Sequence, residues 1–182
     1  SSRKMREDFF KMVNQTTSFS SIDIETTGLD KNAEIIEIGA VKVKNNRIVG
    51  RFQTFVAASA PIPKQITTIT NITDNDLIGA PDIRIALIKL KNFIGTMPLI
   101  GYNIRFDMEF LKNYGCKNRI SFQNKTTDVL TMARKKLHGK DVVENYKLST
   151  VAKYFGIDFT PHRASNDAEA TIKIYNRLRE NN

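Results

Sequence analysis

The feature that most constrains this chain is a short run near its N-terminus, SFSSIDIETTGLD, from Ser18 to Asp30. Ile22 and Ile24 alternate with Asp23 and Glu25 in what otherwise reads as a core strand. Successive side chains of a strand point to opposite faces, so Asp23 and Glu25 share one face, with Cβ atoms about 6–7 Å apart. Two like charges on a buried face are costly, because an unpaired buried charge is strongly destabilising and a like neighbour adds to it. No turn or helix cap asks for them there. A chain that keeps them must bring something positive to that face.

The rest of the sequence supplies a fold around this strand. Ile35 to Val43 alternates and runs into Asn45-Asn46, a pair suited to a tight turn, and Ile48 to Val56 returns as its hairpin partner. Pro61 and Pro63 end the β section. Thr73, with Asp76 three residues on, is a helix N-cap signal. Ile83, Ala86, Leu87, Leu90, Phe93 and Ile94 form a stripe of helical period. Met97 to Asn103 reads as a short buried strand. Helices are predicted at about 105–114, 128–138, 148–155 (stopped by Gly156) and 167–180. A meander followed by alternating helices and strands predicts a mixed sheet flanked by helices, hence an α/β fold. At 182 residues, with no Pro/Gly/Ser-rich linker, the reading is one domain, 17–182, preceded by an arm at 1–16. Met5, Phe9, Met12 and Val13 are spaced like one face of a short amphipathic helix in that arm, expected to pack on its own domain rather than on a partner.

Composition narrows the function classes. No apolar stretch approaches the roughly 18 residues of a membrane span, and the charged N-terminus is not a signal peptide. The single Cys116 forms no internal disulfide, so the cytoplasm is the expected compartment. A net charge of +9 points to a polyanionic partner or to a solubilising basic surface. The clusters Arg134-Lys135-Lys136 and Lys117-Arg119 admit both readings, with solvent preferred.

Two further carboxylates fall on apolar helix faces. Asp107 shares a stripe with Phe110, Leu111 and Tyr114, and Asp167 with Ala170, Thr171, Ile174, Tyr175 and Leu178. Each has a structural alternative: Asp107 as a helix-start aspartate, and Asp167 as a first-turn residue behind an Asn166 cap with Glu169 completing a capping box. Taken together, Asp23, Glu25, Asp107 and Asp167 are best explained as an all-oxygen site for Mg²⁺ or Mn²⁺, since Zn²⁺ usually recruits His or Cys. His162 lies five residues before Asp167, in the loop leading to the same helix. A histidine there can take a proton from water.

Three motifs in this order, IDIETTGLD, YNIRFD and HRASND, resemble those of the DEDDh family of 3′–5′ exonucleases, above all the epsilon-type proofreading exonuclease of bacterial DNA polymerase III. The likeness covers about 17–180. It implies a ribonuclease-H-like, five-stranded mixed sheet with an antiparallel meander plus parallel strands. It implies two divalent cations held by Asp23, Glu25, Asp107 and Asp167, with Asp23 bridging and His162 as general base. It also implies release of nucleoside 5′-monophosphates from 3′ ends and a nucleic-acid partner with DNA preferred, and it leaves open whether the domain acts alone or with a DNA polymerase. Thr26, Thr27, Leu29, Asn103 and Phe106 are the expected substrate contacts, each with ordinary packing or turn structure as the alternative. Tyr102 and Ile104 replace the more usual His and small residue of the second motif, and Asn71 stands where the family often has Gly. RNA or short oligonucleotides as substrate, and an inactive nucleic-acid-binding module, remain the competing readings. Filled catalytic positions weigh against the second.

Overall fold

The isoleucine-rich alternation produces a three-stranded antiparallel meander, β1 (Phe19–Thr26), β2 (Ile35–Lys44) and β3 (Arg47–Phe55). The computed structural model describes the backbone of residues 1–16 and 18–180, and the side chains of 1–9 and 18–180. Asn45 and Asn46, at φ 52° and 62°, make the two-residue turn of positive φ that right-twisted hairpins favour. Two short strands follow on the other side of β1, β4 (Leu99–Gly101) and β5 (Thr126–Asp128). The sheet order is β3-β2-β1-β4-β5, with β1–β2 and β2–β3 antiparallel and β1–β4 and β4–β5 parallel. This is the expected mixed sheet. β5 is the strand that the periodicity did not place, because three residues, Thr126-Thr127-Asp128, carry no alternation to read.

Helices cover both faces. Those over the first face are α3 (Ile83–Ile94) and α4 (Ile104–Lys117), which close on Ile22, Ile24, Ile38 and Ala40 with Ala86, Leu87, Leu90, Met108 and Leu111. Over the second lie α5 (Val129–Leu137), α6 (Leu148–Tyr154) and α7 (Ala164–Leu178), which pack Ala133, Val151, Ala168 and Ile174 against Phe19, Val41, Val43 and Ile100. A third, smaller cluster, Ile36, Ile62, Ile72 and Leu77, seats the excursion between β3 and α3. That excursion holds α2 (Lys64–Thr70), which the sequence pattern did not reveal, and a 3-10 turn, Asp74–Leu77, capped reciprocally by Thr73 and Asp76. Asn71 closes α2 at φ 60°, so the asparagine adopts the left-handed turn without glycine. Ahead of the sheet, α1 (Ser2–Thr16) forms a helix whose Met5 and Phe9 are 73% and 59% exposed. These two do not bury themselves on the domain as their spacing predicted: Arg3, Lys4, Arg6, Glu7 and Asp8 surround them and leave a narrow apolar stripe. The side chains of Met12 and Val13 lie outside the described residues. Among the described residues, no helix is long and apolar enough to cross a membrane.

The start of α7 differs from expectation, and the reason lies in β2. The helix begins at Ala164, three residues early, with Arg163 at the N-cap position and no cap from its own side chain. Asn166 is therefore inside the helix, and Glu169 reaches out to Arg51 at 2.7 and 2.9 Å instead of closing a capping box. The cap comes from another element: Glu37 Oε1 on β2 accepts the Ala164 N–H at 2.8 Å. Two residues along β2, a Cβ on Gly39 would lie 2.4 Å from Ser165 N and 2.5 Å from Ala164 C. Only a residue without a side chain lets the first turn of α7 rest on the sheet. Gly39→Ala is expected to cost about 1–3 kcal/mol or more of stability, the range for overpacking against atoms that cannot yield, and to lower activity further by displacing α7. A urea melt matching wild type would remove this close approach from the fold's requirements.

Candidate active site

Directly opposed residues of an antiparallel pair project to the same face. Asp23 stands opposite Gly39 and Glu25 opposite Glu37. The two motif carboxylates therefore lie on the second face, beneath the start of α7, at the C-terminal end of β1. Ligands of open α/β sheets sit outside strand ends of this kind. α4 follows β4 immediately, which carries Asp107 to the same end of the sheet. α7 delivers Asp167 from above.

The structure brings one ligand atom each of Glu25, His162 and Asp167 to within 4.8 Å of one another. Asp23 and Asp107 complete the constellation deeper in the fold. Each has its Oδ2 buried with no hydrogen-bond partner, and the Asp107 residue as a whole is 4% exposed. Burial, then the neighbouring carboxylates of Asp107, Glu25 and Asp167, hold the Asp23 pKa well above the usual carboxylate range. Burial likewise raises Asp107, against the opposing pull of the Ile24 backbone. Glu25 is pushed up to about 8 by burial and by Asp167 and Glu37, with Arg163 opposing. Asp167 rises to about 7 through burial, partly offset by the hydrogen bond that its carboxylate accepts from the His162 N–H at 3.0 Å.

Several acids crowded into one place, with two orphaned buried oxygens, fit a hard divalent cation: oxygen donors and net negative charge are what such an ion requires. His162, expected beside the ligands, falls within reach of two of them. Its backbone is at φ 65°, a left-handed conformation uncommon for a residue with a side chain and often found where function over-determines the backbone.

The expected substrate contacts are placed as follows. The Thr26 hydroxyl donates to the Gly28 carbonyl at 2.6 Å, while the Thr27 N–H donates to the Glu34 carbonyl and its Oγ1 accepts from the Glu34 N–H, both at 2.9 Å. The Thr-Thr-Gly turn is thus closed by its own bonds. Leu29, at its tip, is 87% exposed. Phe106 packs on Phe110, ring centroids 4.9 Å apart, at the margin of the first core cluster. Asn103 is left-handed, φ 63°, and its N–H donates to Asp128 Oδ1 at 2.9 Å. The Asp128 oxygens also accept from Leu130 N and Thr131 Oγ1, so one carboxylate at the end of β5 fixes both α5 and the turn that launches α4. The two departures in the second motif are absorbed locally. Ile104 is buried in the core, and the Tyr102 hydroxyl donates to the Tyr146 carbonyl across the cleft. That cleft, about 790 Å³, is lined by Tyr102, Asn103, Arg134, Tyr146, His162 and Asp167 among others. Of the basic cluster at 134–136, Arg134 therefore faces the site.

Two residues that matter here were not singled out from sequence, Glu37 and Gly39 in IIEIGAV. The signal was present: a lone acid in a run of Ile, Ala and Val is the same anomaly that marked Asp23 and Glu25.

A mixed sheet of this order, with helices on both faces, is ribonuclease-H-like, an architecture shared by a broad class of nucleases. The chain belongs to the exonuclease family: the family model described as exonuclease, RNase T, matches residues 20–175. It is 40% identical over 164 residues to the PolC-type DNA polymerase III of Caldanaerobacter subterraneus, covering 89% of this chain and 12% of that protein. It is 32% identical over 166 residues to the DNA polymerase III subunit epsilon of Aquifex aeolicus, covering 90% of this chain and 81% of that one. The chain thus spans about an eighth of the PolC-type relative and most of the epsilon subunit. Among solved structures, E. coli exonuclease I in complex with a dT13 oligonucleotide superimposes with a TM-score of 0.77 at 20% identity, covering 90% of this chain and 41% of that one. A zinc-bound form of the E. coli exonuclease I–single-stranded DNA complex gives 0.75 at 21%, covering 89% and 42%. The chain is an exonuclease-family nuclease domain.

Proposed function

We propose that the domain, residues 17–182, is a 3′–5′ exonuclease that hydrolyses the terminal phosphodiester of single-stranded or frayed DNA, in the manner of a proofreading or repair nuclease. The observation that carries the reading is the convergence of Asp23, Glu25, Asp107 and Asp167, from three separate stretches of sequence, with His162 at their edge. These four carboxylates would hold two Mg²⁺ or Mn²⁺ ions. When bound, such ions stabilise the attacking and leaving oxygens of a displacement at phosphorus. His162 takes the proton of the attacking water, a general-base role that its place against Glu25 and Asp167 favours. Water adds to phosphorus, the 3′ oxygen of the shortened strand leaves, and a nucleoside 5′-monophosphate is released. Leu29 and Phe106 border the terminal base and sugar, the Thr26-Thr27 turn meets the 3′ end, and Asn103 holds the second-motif turn. Cleavage of any terminal nucleotide calls for sugar–phosphate contacts rather than base reading. The PolC-type and epsilon relatives support a polymerase partner for this domain.

The test uses 5′-labelled single-stranded DNA, mismatched duplex and RNA, each with Mg²⁺, with Mn²⁺ and with EDTA. The expected result is a ladder shortening from the 3′ end on single-stranded and mismatched DNA, abolished by EDTA. Faster loss of RNA would overturn the substrate, and undiminished cleavage in EDTA would overturn the chemistry.

A further inference from the structure

Glu37 is an acid at the centre of the sheet, 0% exposed, and the proposed chemistry gives it no role. Its hydrogen bonds explain its presence. Oε1 accepts the Ala164 N–H at 2.8 Å, while Oε2 accepts from Arg163 Nη2 at 3.2 Å and from Gln53 Nε2 at 2.8 Å. Two of the three donors belong to the residues that directly follow His162. Arg163 is fixed a second time, its guanidinium lying 5.1 Å from the centre of the Phe55 ring, and Phe55 is the β3 residue paired with Glu37. Gln53, also on β3, shares Oε2 with Arg163. One carboxylate thus joins β2, β3 and the loop entering α7.

His162 needs such an anchor. A side-chain-bearing residue at φ 65° persists only where its surroundings hold it. Its N–H is held by Asp167, whose carboxylate is also a proposed ligand and therefore serves two roles. The hold that belongs to no ligand comes two residues later, at Ala164, from Glu37. Gly39 gives the geometry its second support, by letting the Ala164–Ser165 backbone come down onto β2. We propose that Glu37 is a positioning residue: its carboxylate clamps the Arg163–Ala164 backbone to the sheet and so sets where His162 and Asp167 stand relative to Glu25, the residue opposite it on β1. This rests on the exonuclease reading above. A base or ligand displaced by about 1 Å can cost on the order of 10²-fold in rate with little change in binding, so the effect belongs in kcat.

The test compares Glu37→Met, Glu37→Gln and Arg163→Met with wild type on 5′-labelled single-stranded DNA, at a temperature where melting curves show each protein folded. Glu37→Met is expected to lower kcat about 30- to 100-fold with KM within about threefold. Glu37→Gln keeps an oxygen for the Ala164 N–H and is expected to stay within about fivefold of wild type. Arg163→Met, whose side chain is 38% exposed and can be removed without opening the core, should lower kcat about five- to tenfold. A folded Glu37→Met enzyme with wild-type kcat overturns the proposal, as does a Gln variant no better than Met. Should Glu37→Met fail to fold, an unchanged kcat in Arg163→Met overturns it instead. Amide hydrogen exchange separates this result from the function itself. Exchange at Ala164 should rise at least tenfold in a folded Glu37→Met protein, whose Ala164 N–H has lost its acceptor, rise less in Arg163→Met, which keeps that bond, and stay near wild type in Glu37→Gln; unchanged exchange in a folded Glu37→Met protein, or in Arg163→Met where Glu37→Met does not fold, sinks the clamp even if the wild type cleaves nothing.

Discussion

Asp23→Ala abolishes Mg²⁺-dependent shortening of 3′-ended single strands and at the same time makes the metal-free protein more stable; this is the expected result, and the two effects have one cause. Asp23 is the most crowded acid of the site, raised by burial and then by Asp107, Glu25, Asp167 and Glu37. Its Oδ2 has no hydrogen-bond partner. Because Asp23 would help to hold the proposed cations, its loss would remove several kcal/mol of transition-state stabilisation, and about 1.4 kcal/mol is tenfold in rate. A fall of about 10³-fold or more follows. Stability moves the other way. Glu25, titrating at about 8, and Asp167, at about 7, both lie above their unfolded values. A folded pKa raised in this way contributes stability that is present below the unfolded pKa and is lost as pH rises through the folded one. Metal-free wild type should therefore melt progressively lower between about pH 4 and pH 8, and Mg²⁺ or Mn²⁺ should restore it by binding the native state. Asp23→Ala removes an acid whose own pKa is raised by burial and by its neighbours, so it should lessen that decline and melt a few degrees higher at pH 8 in EDTA, since about 1 kcal/mol corresponds to roughly 2–4 °C in domains of this size. A variant that turns over DNA at the wild-type rate, or that melts lower than wild type at pH 8 in EDTA, contradicts the assignment of Asp23.

The legible parts of this chain are those where one residue's environment could be read from its near neighbours. Strict alternation gave β1 and β2, and the stripe from Ile83 to Ile94 gave the existence of α3, because each element buries one face and shows it in its spacing. Asp107 and Asp167 were visible as acids on apolar faces for the same reason. β5 was hidden because three residues are too few to carry a period. The start of α7 was misplaced for a different reason. Local sequence offered Asn166 as a cap, and the true partner of the first turn is Glu37, 127 residues away. Caps supplied by a distant strand leave no mark beside the helix they cap. His162 shows the same limit. Its place beside Asp167 was plain from the spacing, but its left-handed backbone and its approach to Glu25 depend on how β2 receives α7.

That approach bears on the remaining prediction, because a histidine within 4.8 Å of two carboxylate oxygens has two chemical roles open to it, proton acceptor or ion ligand. The exposed rim of the cleft favours the first. His162 is exposed, whereas Asp107 and Asp167 are buried, so the imidazole meets incoming water and the carboxylates do not compete with it for solvent. His162→Ala is expected to lower kcat by about 10²–10⁴-fold, the usual contribution of a positioned general base. The split between the two roles lies in what else changes. For a base, the Mn²⁺ concentration giving half-maximal rate stays near wild type, and the pH–rate profile loses its plateau, leaving a rate that simply follows hydroxide. For a ligand, half-maximal Mn²⁺ moves up by an order of magnitude or more, and saturating metal recovers most of the rate. The base also carries a geometric requirement: the imidazole must be held where water reaches it, so kcat for DNA should fall while KM stays within a few fold. A His162→Ala enzyme within tenfold of wild-type kcat at pH 7, or one restored by excess Mn²⁺, would take the proton-transfer role away from His162.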